Sequence, residues 1–270
     1  FIVTPSVGVT RVTGMRMQTA NDGPERDPKN VTIEGSNDDT VTTFADGNWE
    51  LIASIDIPSV PDRFHTRSFS FENFNAYKHY RWTAVTVATN NTCCMQVAEA
   101  ELLGTVVPPD VTQPGDPIIP SSSNSPGTEG VANAIDNQQT KYLNFDTRIV
   151  NNNPPSGFVV SPSIGRTLVT GMTIQSANDG PERDPKTVLV EGRKDERIAA
   201  YNSGNWEPIV TSDVPLFTGR FQTQTILFDN FKPYRHYRWV AVTVATNNTC
   251  CMQVAEVELL GTGAPVDVTQ

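Results

Sequence analysis

Apolar and polar positions alternate in short runs along the whole chain, and this period of two predicts β-strands. In the first third of the sequence the runs fall at residues 11–19, 30–35, 49–54, 63–71, 79–89 and 95–103. In the first run Val12, Gly14, Arg16 and Gln18 oppose Thr13, Met15 and Met17. In the last run the apolar set changes face between Met95, Val97 and Leu102, which predicts a β-bulge there. Turn residues separate the runs: Asn21-Asp22-Gly23-Pro24, Asp46-Gly47-Asn48, and Pro58 to Asp62. No window carries a helical stripe, so the expected class is all-β, built as sandwiches or barrels.

The pattern recurs. Residues 1–113 align without a gap onto residues 158–270, an offset of 157, and 69 of those 113 positions are identical. Two blocks are almost unchanged: ANDGPERDPK at 20–29 and 177–186, and AVTVATNNTCCMQVAE at 84–99 and 241–256. The copies diverge most at 36–46 with 193–203 and at 51–70 with 208–227. Residues 114–157 precede the second copy and have no counterpart before the first, while the chain closes on PVDVTQ, a match to PPDVTQ at 108–113. The expected organisation is a first β-sandwich at 1–105 that lacks its opening segment, a Pro/Ser-rich linker at 106–127, a second sandwich at 128–262 and the start of another linker at 263–270. The proline content of 106–127 favours extended polyproline II and a semi-rigid spacer, whose Ser and Thr residues are candidate O-glycan carriers.

The order of motifs in the second copy resembles a known group. VANAIDNQQTKYLNF, then SGFVVSPSIGRTLVTGMTIQSANDGPERDPKTVLVEG, NWEPI, YRHYRW and MQVAEVELLG are similar to discoidin-type domains, also described as F5/8 type C domains or family 32 carbohydrate-binding modules. The resemblance covers nearly all of copy two and the later two-thirds of copy one. It implies two galactose-binding-like jelly-roll sandwiches whose ligands range over sugars, lipids and proteins. It also implies a structural calcium ion held between an early Asp loop and a Glu near the last strand, here Asp136, Thr140 and Glu256. Calcium takes six to eight oxygens, so such a site would staple the two ends of the domain together. Copy one keeps Glu99 without the Asp loop.

Composition narrows the function. The formal charge of −10 and pI near 4.8 argue against nucleic acid and anionic lipid as partners and keep calcium open. No stretch approaches the length of an apolar membrane span. The start on Phe1-Ile2-Val3, without Met, reads as a processed or excised chain. Four cysteines occur as two adjacent pairs, Cys93-Cys94 and Cys250-Cys251. A vicinal bridge, a bridge between units or chains, and buried free thiols are the alternatives; the vicinal bridge is favoured because each copy must be self-sufficient, and it implies an oxidising compartment. Sequons at Asn30, Asn90 and Asn247 are candidate glycosylation sites, consistent with an extracellular or cell-surface glycoprotein.

Candidate ligand-binding residues are Asn21 and Arg26 with Asn178 and Arg183, as polar groups of the constant loop, and Trp49 and Trp206, as aromatic platforms beside a turn. The structural alternative is a turn locked by Arg26 and a Trp that belongs to the core. No nucleophile, base and acid recur as a set in both copies: His65 becomes Gln222. No catalytic residue is therefore assigned, and the expected function is non-enzymatic. Two readings remain. The first is a structural or adhesive repeat whose copies assemble into a fibre or surface array, a neighbouring repeat or chain completing the first domain. The second is a tandem carbohydrate-binding module of a larger secreted or surface protein.

Overall fold

The computed structural model describes residues 1–60, 62–89, 94–146, 156–246 and 250–264. It is all-β, as the alternation predicts, and divides into unit 1, Phe1–Val107, and unit 2, Pro108–Gln270. Unit 1 contains β1 (Ile2–Val3), β2 (Thr10–Gln18), β3 (Pro28–Ser36), β4 (Glu50–Asp56), β5 (Thr66–Ser70), β6 (His79–Val87) and β7 (Glu99–Val106). Unit 2 contains β8 (Ile118–Pro120), β9 (Tyr142–Asn144), β10 (Gly157–Val160), β11 (Thr167–Gln175), β12 (Pro185–Arg193), β13 (Glu207–Asp213), β14 (Thr223–Leu227), β15 (His236–Val244), β16 (Met252–Val254) and β17 (Glu256–Gly263).

In unit 2 one sheet runs β13-β12-β15-β10-β8 and the facing sheet β14-β11-β17, with β16 and β9 paired beside them. Unit 1 repeats this as β4-β3-β6-β1 against β5-β2-β7. Side chains from the two inner faces meet in one core per unit. Val188, Val190 and Trp239 oppose Met172, Ile174, Val257 and Leu259 in unit 2, and Val31, Ile33 and Trp82 oppose Met15 and Met17 in unit 1. Trp82 and Trp239 are both fully buried, each stacked on the phenylalanine of the neighbouring short strand, Phe1 at 5.3 Å and Phe158 at 5.5 Å.

The bulge falls on a different strand from the one predicted. Register shifts between Val12 and Gly14, and between Val169 and Gly171, so the extra residue is Thr13 or Thr170. That slip turns both Val12 and Met15 inward, where strict alternation puts them on opposite faces. The change of face in the last run has another cause. In unit 2 it is a break at Ala255 between β16 and β17, where the Ala255 N–H leaves its own strand to donate to the Gln175 carbonyl.

The expected linker is folded. Among residues 106–127, Val111 is buried in the unit 2 core and Asp116 is buried, its carboxylate accepting from the Gln113 and Ser163 amides. Ile118, Ile119 and Pro120 pair with Val160, Val159 and Phe158. Proline is tolerated because β8 is an edge strand, where a missing N–H faces outward. The stretch therefore opens unit 2 rather than spacing two units, and the sandwich boundary moves from residue 128 to Pro108.

The leading segment makes the two units unequal. It pairs β8 with β10, β9 with β16, and places an isolated bridge, Asp110 to Leu260, on the outer edge of β17. Unit 1 has no corresponding strands among its described residues. Met95 is 43% exposed where Met252 is 0%, and Phe1 is 49% exposed where Phe158 is 0%.

Candidate functional site

The two constant blocks are far apart in sequence and meet at one end of each sandwich. In unit 1 the Ala88 N–H donates to the Asp27 carbonyl at 2.8 Å and the Gln96 N–H to the Arg26 carbonyl at 3.2 Å. The Gln96 amide group also donates to the Asp22 and Gly23 carbonyls. Gln253 makes the same two bonds to Asp179 and Gly180 in unit 2.

The loop is held from within. Gly23 and Gly180 have φ of 49°, in the left-handed region that favours glycine. A Cβ there would also run into the guanidinium of Arg26 or Arg183. Each arginine turns back onto its own loop, Arg26 Nη2 to Asp22 Oδ1 at 2.8 Å and Arg183 Nη2 to Asp179 Oδ1 at 3.2 Å. Beneath the loop a second, bidentate pair anchors it: Arg63 to Asp27 at 3.0 and 2.6 Å, and Arg220 to Asp184 at 2.9 and 2.5 Å. Sequence reasoning missed Arg63 and Arg220, which sit within the divergent stretches; their signal was that they persist there while their neighbours change.

What remains open to solvent is polar and repeated. Asn21, Asp22 and Glu25, like Asn178, Asp179 and Glu182, are exposed. Nε of Arg26 and of Arg183, by contrast, is buried, without a hydrogen-bond acceptor among the described residues. In unit 2 the disulfide Cys250–Cys251 joins adjacent residues, as expected, two positions before Gln253. In unit 1 Cys94 lies within reach of the Arg26 side chain, while Cys93 lies outside the described residues. Lys141 reaches Asp179 from the leading segment at 3.2 Å and Glu129 at 3.3 Å.

The Asp loop and the late Glu arrive at this same end. The Gln138 N–H is shared between Asp136 Oδ1 at 2.9 Å and Glu256 Oε1 at 2.8 Å, and Thr140 Oγ1 donates to Asp136 Oδ2 at 2.5 Å. The structure thus gathers all three of the predicted calcium residues. Glu256 is buried, its Oε2 has no hydrogen-bond partner among the described residues, and burial with Asp136 nearby holds its carboxyl well above the usual range. Glu258, next on the same face, is likewise raised by burial and by Asp110. An all-oxygen set with an orphaned buried carboxylate oxygen fits a hard cation. Only two of its side chains are carboxylates, and no group of three His, Cys, Asp or Glu forms a metal cluster among the described residues; backbone carbonyls or water would have to complete the shell. Glu99, the unit 1 counterpart, is exposed.

The tryptophan platforms stand elsewhere. Trp49 and Trp206 lie at the far end of the central strand, near Gly35 and Gly192, whereas the constant loop enters that strand at Pro28 and Pro185. Eight residues of strand separate those ends by roughly 26 Å. Each ring is also covered by a guanidinium, Arg81 at 4.7 Å from Trp49 and Arg238 at 4.9 Å from Trp206. Glu34 and Glu191 hold those arginines. The tryptophans cap the outer face of the sheet and share no site with Asn21, Arg26, Asn178 or Arg183. Of the sequons, Asn30 sits in β3 with its amide bonded to Asp56 at 2.9 Å, and Asn90 and Asn247 lie outside the described residues. A cavity of about 530 Å³ opens in unit 1 between Met17, Ile57 and Val60. In unit 2 the position of Val60 is taken by the buried Phe217.

No family model matches the chain, and no curated protein matches it. Solved structures similar to it include a fucolectin from the serum of Morone saxatilis (striped bass), with 14% identity, covering 96% of this chain and 80% of that one at a TM-score of 0.42. The family 32 carbohydrate-binding module of NanJ from C. perfringens, in complex with galactose, has 13% identity over 53% of this chain and 92% of its own, at 0.38. Allantoicase from Saccharomyces cerevisiae has 14% identity over 96% and 76%, at 0.39. No helix among the described residues is long and apolar enough to cross a membrane. An F5/8 type C domain from Bacteroides fragilis is also similar, with 13% identity over 56% of this chain and 93% of its own at a TM-score of 0.43.

Proposed function

We propose that the chain is a non-catalytic, extracellular pair of carbohydrate-binding units, with one site in each unit where the two constant blocks meet. One observation carries this reading: Asn21 and Asn178 recur, exposed, at that junction in both copies and make no side-chain hydrogen bond among the described residues that would account for them. Exposed Asn and Asp side chains beside a half-buried guanidinium offer donors and acceptors suited to neighbouring sugar hydroxyls. The disulfide adds an apolar sulfur surface for the face of a pyranose ring. Two of the similar structures are themselves sugar-binding proteins, the galactose-complexed module and the fucolectin. Two weak sites on one chain gain avidity toward a multivalent glycan surface.

A glycan array followed by calorimetry tests this. Arg26→Ala and Arg183→Ala should each remove one site, and the double variant should lose at least about tenfold in affinity, the equivalent of 1.4 kcal/mol. An array without hits, or a double variant that binds like the parent, contradicts the reading.

Calcium belongs to the same proposal for unit 2, with Asp136, Thr140 and Glu256 as its ligands. When bound, the ion would neutralise the buried Glu256 and tie the leading segment to β17. At a hundred times its Kd it should stabilise unit 2 by about 2.7 kcal/mol, a rise of roughly 5–11 °C in Tm. Glu256→Gln should abolish the shift, and unit 1 should not respond. Identical melting in chelator and in millimolar calcium would rule the ion out.

A second reading, that copies of the chain assemble into a fibre or surface array, is favoured by the unpaired edges of unit 1.

A further inference from the structure

The outer edge of β17 in unit 2 is closed by the start of the leading segment. The Gly261 N–H donates to the Pro109 carbonyl at 2.8 Å, and the Val111 N–H donates to the Leu259 carbonyl at 2.8 Å. The Leu259 N–H reaches Thr112 Oγ1 at 3.1 Å, and Thr112 in turn bonds Glu258. In unit 1 the same edge is Leu102-Leu103-Gly104, identical in sequence to Leu259-Leu260-Gly261. There β7 ends its sheet, and Leu102 and Gly104 have no backbone partner on the outer side among the described residues. Leu103 is 40% exposed where Leu260 is 5%.

The chain carries a second segment of the kind that closes this edge. Residues 265–270, PVDVTQ, match residues 108–113, PPDVTQ, at five of six positions. The one difference is Val266 at the position of Pro109, whose contribution to the edge is a carbonyl that either residue supplies. Glu101 in unit 1 is held by Arg16 yet stays half-exposed, and a carboxylate has room to accept a threonine hydroxyl as well.

We propose that the β7 edge of unit 1 receives residues 265–270 of a second copy of the chain. The Val268 N–H would bond the Leu102 carbonyl, the Gly104 N–H the Val266 carbonyl, and Thr269 would stand where Thr112 stands in unit 2. This strand addition is head to tail, so it extends from copy to copy instead of closing on itself. It rests on the array reading and supplies its contact.

Sedimentation of the full 270-residue chain into the millimolar range tests it. The average mass should climb with concentration. Val268→Asp and Leu103→Asp should each return it to that of one chain, Leu103 lying outside the buried core of unit 1. A synthetic peptide of residues 108–146, which brings strands for all the open edges, should dissolve the association, and hydrogen exchange at the Gly104 amide should slow as copies associate. Association that survives both substitutions overturns this contact and leaves the array reading standing. A mass of one chain at every concentration, with Gly104 exchange unchanged, overturns both.

Discussion

Substituting aspartate for Val111 is expected to destabilise unit 2 by at least about 4 kcal/mol and to leave unit 1 unchanged. Val111 lies in the stretch whose prolines suggest a spacer, yet its side chain is 3% exposed and packs in the unit 2 core. Losing its burial costs about 1.5–3 kcal/mol, and a carboxylate in the same place adds a desolvation penalty of several kcal/mol. The cheapest relief is for residues 109–112 to leave the β17 edge, which exposes Leu259 and Leu260. A urea titration read by peptide-resolved hydrogen exchange separates the units. An unchanged unit 2 midpoint would mean that 106–127 is a spacer after all.

The second large effect is expected at Arg220. Its guanidinium makes a bidentate pair with Asp184, which is 3% exposed, and reaches the Asp179 carbonyl at 3.1 Å. Burial already raises the Asp184 carboxyl despite this partner. Arg220→Ala leaves the carboxylate buried and alone, a loss of about 3–5 kcal/mol. Lysine should recover part of it, since it restores the charge without the fork. The constant loop should lose its order in the same variant, and glycan capture by unit 2 with it. A loss under about 1 kcal/mol, as for a surface ion pair, would contradict this account of how the loop is fixed.

Much of this was legible in the sequence because it depends on local periodicity. The six long runs of each copy became strands, with ends shifted by a few residues, since alternation marks a half-buried strand wherever the turns are strong. The repeat was legible for the same reason. The short strands were not: β8 and β9 have three residues each and β10 four, too few to show a period. Their places are set by partners far along the chain. Prolines in 106–127 pointed to polyproline II because nothing local distinguishes that state from an edge strand, where Pro120 sits. Asp136, Thr140 and Glu256, the residues proposed for calcium, came from the family resemblance, and the structure brings them together. That Trp49 and Trp206 stand apart from the constant loop was not legible, because a period of two cannot say which end of a strand a side chain caps, nor that Arg81 and Arg238 stack on the rings.

Behind these points lies one claim: a single repeated sequence occupies two environments, closed in unit 2 by its leading segment and, among the described residues, open in unit 1. Met95 and Met252 sit in identical surroundings of sequence and differ in exposure, 43% against 0%. Limited peroxide treatment followed by peptide mass spectrometry measures that difference directly, because sulfoxide formation follows access to the thioether. Rapid oxidation of Met95 with Met252 protected until unit 2 unfolds is the predicted result; equal rates at the two methionines would contradict it.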